Sequence, residues 1–485
     1  MEEKSLNRGL QLRHITMFAI GGAIGTGLFV ATGGVIAQAG PGGAILAYLI
    51  IGTMLYFLMS SIGEMATFYP VSGSFSSYAT RFVDASLGFT MGWLYWLIWA
   101  LVTSVDIIIA TNVLSYWDAF NFFSPMVWSI IFLSLLLLLN IFSVKAFGEA
   151  EFWLSLIKVI TIIVFIVLGL LMIFGILGGH TYGFDNFTHG EAPFVGGVSG
   201  FLSMLLIAGF SVGGTEVVAV TAGESDNPKK SMPRAIKQVF WRILLFYVLS
   251  IAVISAIIPY TDPTLLNESG SITQSPFTIV FDKVGIAFAA SVINAVILTS
   301  LLSASNSGLF TTSRMLFSLS QQGSAPKVLG RINLATKLPL NALITTFVLI
   351  TAVTIFANFK PESVMGLLNI IGALITFVWA SSIISQIRMR KAIKAQQKDI
   401  NQLLPYKSPL FPVGPIIVLI IIAFLIFGSS FDAILTLDIP KLAQSFLPII
   451  LLIGVYFGHK LIHKTKVIPL KQVDLSEHEM YTQHK

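Results

Sequence analysis

Two of the longest apolar stretches of this 485-residue chain are interrupted by clusters of glycine. The first cluster reads GGAIGTGLF at residues 21–29, inside a stretch without a charged side chain from 15 to 63. The second reads AGFSVGGTE at residues 208–216, inside an apolar stretch that begins near Phe194. A helix in hydrocarbon must satisfy its own backbone polar groups, so an unwound turn at mid-depth is tolerated only where it lines a cavity. The two clusters therefore predict two broken helices that border a buried site.

Broken helices at matching positions of two halves are typical of the substrate sites of secondary transporters. The positive end of a half-helix can hold a carboxylate there, which favours a small zwitterion or anion as the ligand. Each cluster alone has an alternative explanation, because small residues spaced by four also allow close helix packing, and Gly21 and Gly25 have that spacing. The recurrence of the cluster in both halves favours the binding site.

The remaining apolar stretches predict further membrane spans. Hydrophobic residues make up 55% of the chain and charged residues 11%, which excludes an ordinary soluble domain. A span needs about 20 residues to cross the hydrocarbon core. The stretch 15–63 is long enough for two spans joined at Ala39–Gly43, and another span, with Asp106 inside it, runs from about Leu87 to Tyr116. Nine further stretches lack charged side chains: 119–144, 159–184, 192–215, 243–261, 284–313, 338–359, 363–387, 408–431 and 442–459.

These stretches predict an all-α integral membrane protein with twelve transmembrane helices, of which helices 1 and 6 are broken. Because the breaks lie five spans apart, spans 1–5 and 6–10 are expected to form a five-plus-five inverted repeat with two helices appended. The expected divisions are a cytoplasmic N-terminus (1–13), a single transporter domain (14–463, with repeats 14–178 and 196–387 and appended helices 412–463) and a cytoplasmic tail (464–485).

The distribution of basic residues predicts the orientation. With a cytoplasmic N-terminus, the inner side receives the basic loops near 229–242 and 314–337, the run 388–407 and the tail. Outer segments 115–124, 178–195 and 260–276 contain no Lys or Arg, and only Lys283, Lys360 and Lys441 fall outside. This asymmetry follows the positive-inside rule with both termini cytoplasmic. The net charge of +6 is thus explained by topology, and no nucleic-acid partner is expected.

Several separate motifs resemble amino-acid permeases of the amino acid–polyamine–organocation superfamily, in its bacterial amino-acid transporter branch. They cover nearly the whole chain in the right order, and two longer stretches narrow the resemblance to permeases for lysine. The motifs are GGAIGTGLF, GEMATFYPVSGSFSSYATRF, GGTE and AGESDNPKKSMPRAI; the two stretches are QVFWRILLFYVLSIAVISAIIPYTDP and NAVILTSLLSASNSGLFTTSRML. The resemblance implies a permease of the bacterial cytoplasmic membrane.

The resemblance also implies how an amino acid is held. Its carboxylate would be bound by the backbone N–H groups of Gly25, Thr26 and Gly27 and by the Thr26 hydroxyl. Its α-amino group would be held by carbonyl oxygens freed at the two breaks. The positions that match are Ala23, Ile24, Phe210 and Gly213, beside Ser211, and Phe210 matches the aromatic gate that caps the substrate.

Residues in span 3 are expected to select the side chain of the substrate. Asp106 is the only charged residue between Asp84 and Asp118, and a charge within a membrane span is costly and by default functional. In the family one face of this span lines the side-chain pocket, and Thr103 and Asp106 match it. We expect Asp106, some distance from the carboxylate cradle, to meet a substrate ammonium. The alternative is that Asp106 pairs with Lys158 or hydrogen-bonds to a neighbouring helix.

Two further charges are predicted to couple transport to protons. The resemblance implies that the span-5 Lys158 ammonium occupies the place of a sodium ion in sodium-coupled relatives, so that sodium dependence is not expected. Alternatively, Lys158 extends to the headgroups at the inner surface. Glu216 matches an acid implicated in proton sensing or in bracing the broken helix; its alternative role is a structural hydrogen bond.

The predicted function is therefore secondary active import of a cationic amino acid, above all L-lysine, by proton symport with alternating access. No enzymatic activity, metal or cofactor is expected, since the nucleotide-binding and hydrolase motifs and a metal-ligand spacing are missing from the sequence. The expected partners are the substrate, the proton and the lipid bilayer, with a regulatory membrane protein as a further possibility. Alternatives are a permease for arginine or histidine, and a transporter-like lysine sensor.

Overall fold

The structure is a computed structural model. It describes residues 11–17, 20–21, 24–71, 73–142, 144–222, 225, 227–265, 275–283, 287–333, 336–360, 363–428 and 430–476. Within these ranges the chain is helical, with connecting turns and no β-strand. Eight of its helices are long and apolar enough to cross a membrane. The prediction of an all-α membrane protein is confirmed at this level.

Eighteen α-helices are found in the described ranges. The first nine are α1 (Leu12–Met17), α2 (Thr32–Phe68), α3 (Ser74–Phe82), α4 (Ala85–Leu114), α5 (Pro125–Phe142), α6 (Val144–Ile173), α7 (Gly197–Ser211), α8 (Val217–Thr221) and α9 (Pro228–Arg242). The others are α10 (Leu249–Ile257), α11 (Pro276–Lys283), α12 (Ala287–Gln321), α13 (Leu340–Phe359), α14 (Ser363–Ala395), α15 (Ile400–Leu403), α16 (Val413–Gly428), α17 (Phe431–Leu435) and α18 (Ile439–His463).

The first glycine cluster separates α1 from the helix that follows. That helix starts with a π-helical turn over Gly27–Ala31 and continues into α2. Gly40 then takes a φ of +77° ahead of Pro41, so α2 consists of two arms that meet at a kink. A left-handed φ is readily accessible to glycine alone. The kink agrees with the predicted turn at Ala39–Gly43 and divides the 42-residue apolar segment Gly27–Phe68 between two arms.

The second glycine cluster interrupts the helix between α7 and α8. Helix α7 ends at Ser211 and α8 begins at Val217, and the backbone between them turns with Gly214 at a φ of +88°. Helix α7 packs against the π-helical turn of the first break. The two interruptions predicted from the glycines are therefore present, and they lie side by side.

Helix α4 occupies the middle of the bundle, where it packs against α12, α14, α13 and α3. On the opposite side of the breaks, α2 packs against α7 and α9. Large apolar side chains on the periphery, such as Leu138, Ile160 and Phe424, are about half exposed. A surface of that kind is stable in hydrocarbon, and the apolar window of α18 has no buried residue at all.

The segment after α18 returns to the bundle. Arg81 of α3 donates to the backbone oxygen of Asp474 (2.9 Å), and Gln396 donates to that of Val473 (2.7 Å). The Val473 and Leu475 side chains are buried. Residues up to 476 therefore pack on the ends of α3 and α14, while residues 1–10 and 477–485 of the predicted terminal segments lie outside the described residues.

Candidate functional site

A cavity lies where the two breaks meet, between α4, α12 and α14. Its walls are Gly25, Thr26, Gly27, Ile98, Trp99, Val102, Asp106, Phe210, Ser211, Gly213, Gly214, Glu216, Ala304, Ile371 and Ile375. The space that the centre of a water molecule can reach measures about 50 Å³. One buried water needs about 10–15 Å³ by the same measure, so the cavity holds a small polar group or several waters. Most of the wall is apolar, and its polar groups come from the breaks and from two carboxylates.

The first break supplies main-chain donors to the cavity. The amide of Phe29 donates to the carbonyl of Gly25 (3.1 Å), so the second half of the span begins at this residue. The leading N–H groups of a helix have no partner inside the helix, and they lie at its positive end. Gly25, Thr26 and Gly27, predicted to hold a carboxylate, line the cavity at this point. The arrangement is suited to binding an anion.

Neighbouring helices approach Gly25 and Gly27 closely, and at Gly27 the contact requires glycine. A β-carbon on Gly25 would lie 3.0 Å from the Ala304 side chain. On Gly27 it would lie 2.4 Å from the backbone of Ser211, far inside van der Waals contact. The two broken helices thus touch through their main chains, which keeps the donors of one break next to the carbonyl groups of the other.

We expect Gly27→Ala to lower stability and to weaken the binding of every amino acid that the protein recognises. The added methyl group collides with backbone atoms, which cannot rotate away, and overpacking of this kind costs about 1–3 kcal/mol. Thermal unfolding of the purified protein, followed by ligand titration, measures both effects. Gly454→Ala is the matched control, because a β-carbon there meets nothing within 4 Å. Equal unfolding temperatures for the two variants would contradict the contact.

Asp106 is a buried carboxylate in the cavity wall, 3% exposed. The Thr26 hydroxyl donates to its Oδ1 atom over 2.5 Å. The expectation that Asp106 lies some distance from the carboxylate cradle is therefore not met, since span 3 crosses the first break directly at Thr26. The acid and the cradle share one hydrogen bond, so a ligand that binds either group competes for it.

Glu216 is the second carboxylate of the cavity wall and is fully buried. Its Oε2 atom accepts from the Gly214 amide at 3.1 Å, which braces the second break. Tyr95 and Trp379 face this carboxylate, yet within the described part of the chain its Oε1 atom has no hydrogen-bond partner. Buried polar atoms are normally paired, so this oxygen is available to a water, a proton or a ligand.

Lys158 lies on α6, outside the cavity but next to the first break. Its ammonium donates to the carbonyl of Gly21 over 3.1 Å, and the residue is 1% exposed. The side chain is thus directed into the protein, to a carbonyl of the first break that also accepts from the Ile24 amide (3.0 Å), and not outward to the headgroups. Asp106 and Glu151 are the nearby opposite charges. The geometry is that of a cation held at an unwound helix.

The other residues predicted for the site fall into two groups. Phe210, Ser211 and Gly213 line the cavity as expected. Thr103 and Ile24 do not: Thr103 donates to the backbone oxygen of Trp99 (2.8 Å) and packs against Gly308, and Ile24 is buried behind the break. Ala23 lies outside the described residues.

Two groups that support the second break, and one buried carboxylate near Lys158, were not singled out from the sequence. The Tyr247 hydroxyl donates to the carbonyl of Ser211 (3.0 Å), and the buried Arg242 donates to the Thr215 hydroxyl. Glu151, buried on α6, accepts from Ser303 at 2.6 Å. Arg242 and Glu151 border apolar runs, where a charge is easily assigned to the membrane surface. Their position at the end of a predicted span was the only available signal.

Comparison with known proteins places this chain in a family. A family model described as "Amino acid permease" matches residues 14–471. Lysine-specific permease LysP of Escherichia coli (strain K12) is 46% identical over 483 residues, which cover 99% of this chain and 98% of that protein.

Two relatives from Lactococcus lactis subsp. cremoris (strain MG1363) are almost as similar. Its Lysine-specific permease LysP is 45% identical and matches 98% of this chain and 94% of its own length. Its Histidine permease HisP is also 45% identical and matches 98% of this chain and 99% of its own length. One relative named for lysine and one named for histidine are thus equally similar to this chain.

Proposed function

We propose, from the premise that the chain belongs to the amino acid permease family, that it imports L-lysine together with a proton across the bacterial cytoplasmic membrane. The observation that carries the proposal is the cavity between the two breaks, where a cradle of main-chain donors adjoins the buried Asp106 carboxylate. A zwitterion with an additional ammonium matches a site with an anion-binding end and an acid.

In the proposed binding mode, the hydrogen bond between Thr26 and Asp106 is replaced by two ionic contacts with the substrate. The substrate carboxylate binds the N–H groups of Gly25, Thr26 and Gly27 and takes over the Thr26 hydroxyl. Asp106, released from Thr26, moves away from the cradle and pairs with the side-chain ammonium; at the present 2.5 Å the two groups are too close to bind opposite ends of an extended lysine. The α-amino group is held by main-chain carbonyl groups, with Ala23, Ile24, Phe210 and Gly213 as the sources that the family resemblance implies, while Thr103 supports the pocket from behind Trp99.

Proton coupling is assigned to Lys158 and Glu216. Lys158 holds the first break through the Gly21 carbonyl, so the loss of its proton removes the charge and weakens a hydrogen bond that fixes the broken helix. Glu216 holds the second break through Gly214 and has one oxygen without a hydrogen-bond partner in the described part of the chain. Protonation of either group changes the hinge that it braces, which is the change that alternating access requires.

The proposed architecture has twelve spans, both termini in the cytoplasm and an inverted repeat of 14–178 and 196–387. It is supported by short helices that follow the second arm of α2 and helix α10, namely α3 and α11, at matching places of the two halves. In this proposal the twelve spans are the eight long helices, with the two arms of α2 counted separately, and the shorter apolar helices Pro125–Ile141, Gly197–Ser211 and Val413–Gly428. The chain is a transporter, and we propose no catalytic activity for it.

A permease for histidine is the second candidate. It is favoured by one observation, the equal similarity of this chain to a histidine permease and to a lysine permease of the same organism. The imidazole of histidine is shorter than the lysine side chain and is charged only when protonated, so histidine uptake should rise at low external pH.

The test is uptake of labelled lysine into liposomes that contain the purified protein, with and without an inward proton gradient. Uptake driven by the gradient and suppressed by unlabelled lysine alone is the expected result. Equal suppression by histidine or arginine would move the substrate assignment and leave the fold and the site intact. Lysine binding without uptake or counterflow would contradict transport and favour a lysine sensor with a regulatory partner.

A further inference from the structure

A basic groove lies at the end of α14, far along the chain from the substrate cavity. Its walls are Arg390, Lys391, Lys394, Gln397, Lys398, Asp399, Ile400, Asn401 and Phe411. The space that the centre of a water molecule can reach is about 570 Å³, more than ten times that of the substrate cavity. The groove is large enough for a phosphate headgroup with its substituents.

The groove carries more positive than negative charge, although Asp399 lies in its wall and Asp474 interacts electrostatically with Lys398. Lys391, Lys394 and Lys398 are exposed, and within the described ranges no carboxylate lies close enough to form an ion pair with them. Asp399 is the acid in the wall, and its carboxylate accepts from the Asn401 amide (2.8 Å) at the start of α15. Three ammonium groups around one groove present a site for an anion.

Arg390 forms the floor of the groove and is already neutralised. Its guanidinium makes two bonds to the fully buried Glu64 of α2, of 2.7 and 2.5 Å, and stacks on Phe411 at 4.8 Å. The amide of Ser408 donates to the same carboxylate over 2.6 Å. The floor therefore joins α14 to α2 and to the segment before α16, which gives the groove a fixed shape.

An apolar stripe starts at the mouth of the groove. Phe411 in its wall is followed by α16, on which a row of exposed apolar side chains recurs about every four residues, all of them 48–57% exposed: Val413, Ile416, Ile420, Phe424 and Phe427. Such a row faces hydrocarbon along the length of the helix. The groove offers ammonium groups at one end, and the apolar stripe leads away from them. An amphiphile with an anionic head has the complementary arrangement.

We propose that this groove binds an anionic phospholipid, with its phosphate on Lys391, Lys394 and Lys398 and an acyl chain along the α16 stripe. Lysines at the end of a membrane span hold their ammonium groups at headgroup level, where they attract anionic lipids. The lipid fastens the end of α14 next to the Arg390–Glu64 pair. The site is separate from the amino-acid cavity and is independent of the substrate that the protein carries.

The test is native mass spectrometry of the purified protein titrated with dioleoylphosphatidylglycerol, dioleoylphosphatidylcholine or inorganic phosphate. We expect one phosphatidylglycerol to bind at least tenfold more tightly than phosphatidylcholine. In the variant Lys391→Gln, Lys394→Gln, Lys398→Gln its affinity should fall about tenfold or more. The control is Lys327→Gln, Lys337→Gln, Lys466→Gln, which removes three exposed lysines outside the groove and should change the affinity less than twofold.

Several results would overturn the proposal. Equal losses in the two triple variants would mean that overall charge attracts the lipid. Undiminished binding by the groove variant would remove the groove from the contact. Binding of inorganic phosphate as tight as that of the lipid would identify an anion site without a lipid. Ile416→Ser tests the stripe separately, because it leaves every ammonium group in place and should shorten the residence of the lipid.

Discussion

The variant Asp106→Asn is expected to bind lysine at least about a hundredfold more weakly than the unchanged protein. Asparagine keeps the size of the side chain and an oxygen that can accept the Thr26 hydrogen bond of 2.5 Å, so the packing of α4 against the first break is preserved. What is lost is the negative charge opposite a desolvated ammonium. Breaking a buried ion pair by removing one partner costs about 3–5 kcal/mol, which corresponds to a factor of about 10² to several times 10³ in affinity.

Norleucine separates the charge of Asp106 from its packing, because it has the four-carbon side chain of lysine without the terminal ammonium. We expect the binding of norleucine to change little in Asp106→Asn, so that the preference for lysine over norleucine disappears. Calorimetric titration of both ligands measures this difference. If both ligands weaken equally, Asp106 serves the α-amino group or the fold, and the assignment to the side-chain ammonium fails.

Ser104→Ala supplies the matched control on the same helix. Ser104 is buried two residues before Asp106, but it donates to the carbonyl groups of Ala100 and Ile350, at 2.9 and 3.2 Å, and not to the cavity wall. Loss of this neutral polar group should leave the affinity for lysine within about threefold, since a typical hydrogen bond contributes about 0.5–1.5 kcal/mol to stability and nothing here to binding.

The sequence predicted the two breaks well because their cause is local. Glycine removes the β-carbon, and Gly27 lies against the backbone of Ser211 where any other residue would collide. A charge in an apolar run is equally visible, so Asp106, Lys158 and Glu216 could be singled out in advance. Each of these signals lies within a few residues of the chain.

Contacts between distant spans could not be read in the same way. Thr103 and Asp106 are three residues apart and so share a helix face, yet Asp106 lines the cavity while Thr103 packs against Gly308. Which of the two side chains lines the cavity depends on where α12 crosses α4. For the same reason the hydrogen bond of Asp106 to Thr26 was not foreseen, nor the bonds of Tyr247 and Arg242 to the second break.

Counting spans from apolar length has a related limit. The two arms of α2 lie in one continuous apolar segment of 42 residues, which counts as a single helix. The helix that is interrupted between α7 and α8 contributes only the 15 residues of α7. Kinks and breaks therefore change the number of helices that pass a length criterion. The glycine and proline positions were the better guide, because they mark where a continuous helix is interrupted.

The variant Lys158→Met is expected to bind lysine but to lose accumulation driven by the proton gradient. Methionine fills a similar volume and carries neither charge nor donor, so the Gly21 carbonyl loses the ammonium 3.1 Å away and keeps the Ile24 amide at 3.0 Å. Without a group that gains and loses a proton at this break, the gradient no longer biases the direction of the hinge. Exchange of lysine across the membrane, which needs no net proton movement, should persist.

Paired liposome assays decide the role of Lys158. Uptake under an imposed inward proton gradient is compared with counterflow into liposomes preloaded with unlabelled lysine, for Lys158→Met and for Lys158→Arg. Arginine keeps a cation that does not lose its proton, so Lys158→Arg should also retain counterflow and should also lack the gradient-driven uptake. Gradient-driven uptake by Lys158→Met at the level of the unchanged protein would refute the coupling role. A third outcome would make Lys158 a structural cation only. In that case Lys158→Met loses counterflow, while Lys158→Arg shows both counterflow and full gradient-driven uptake.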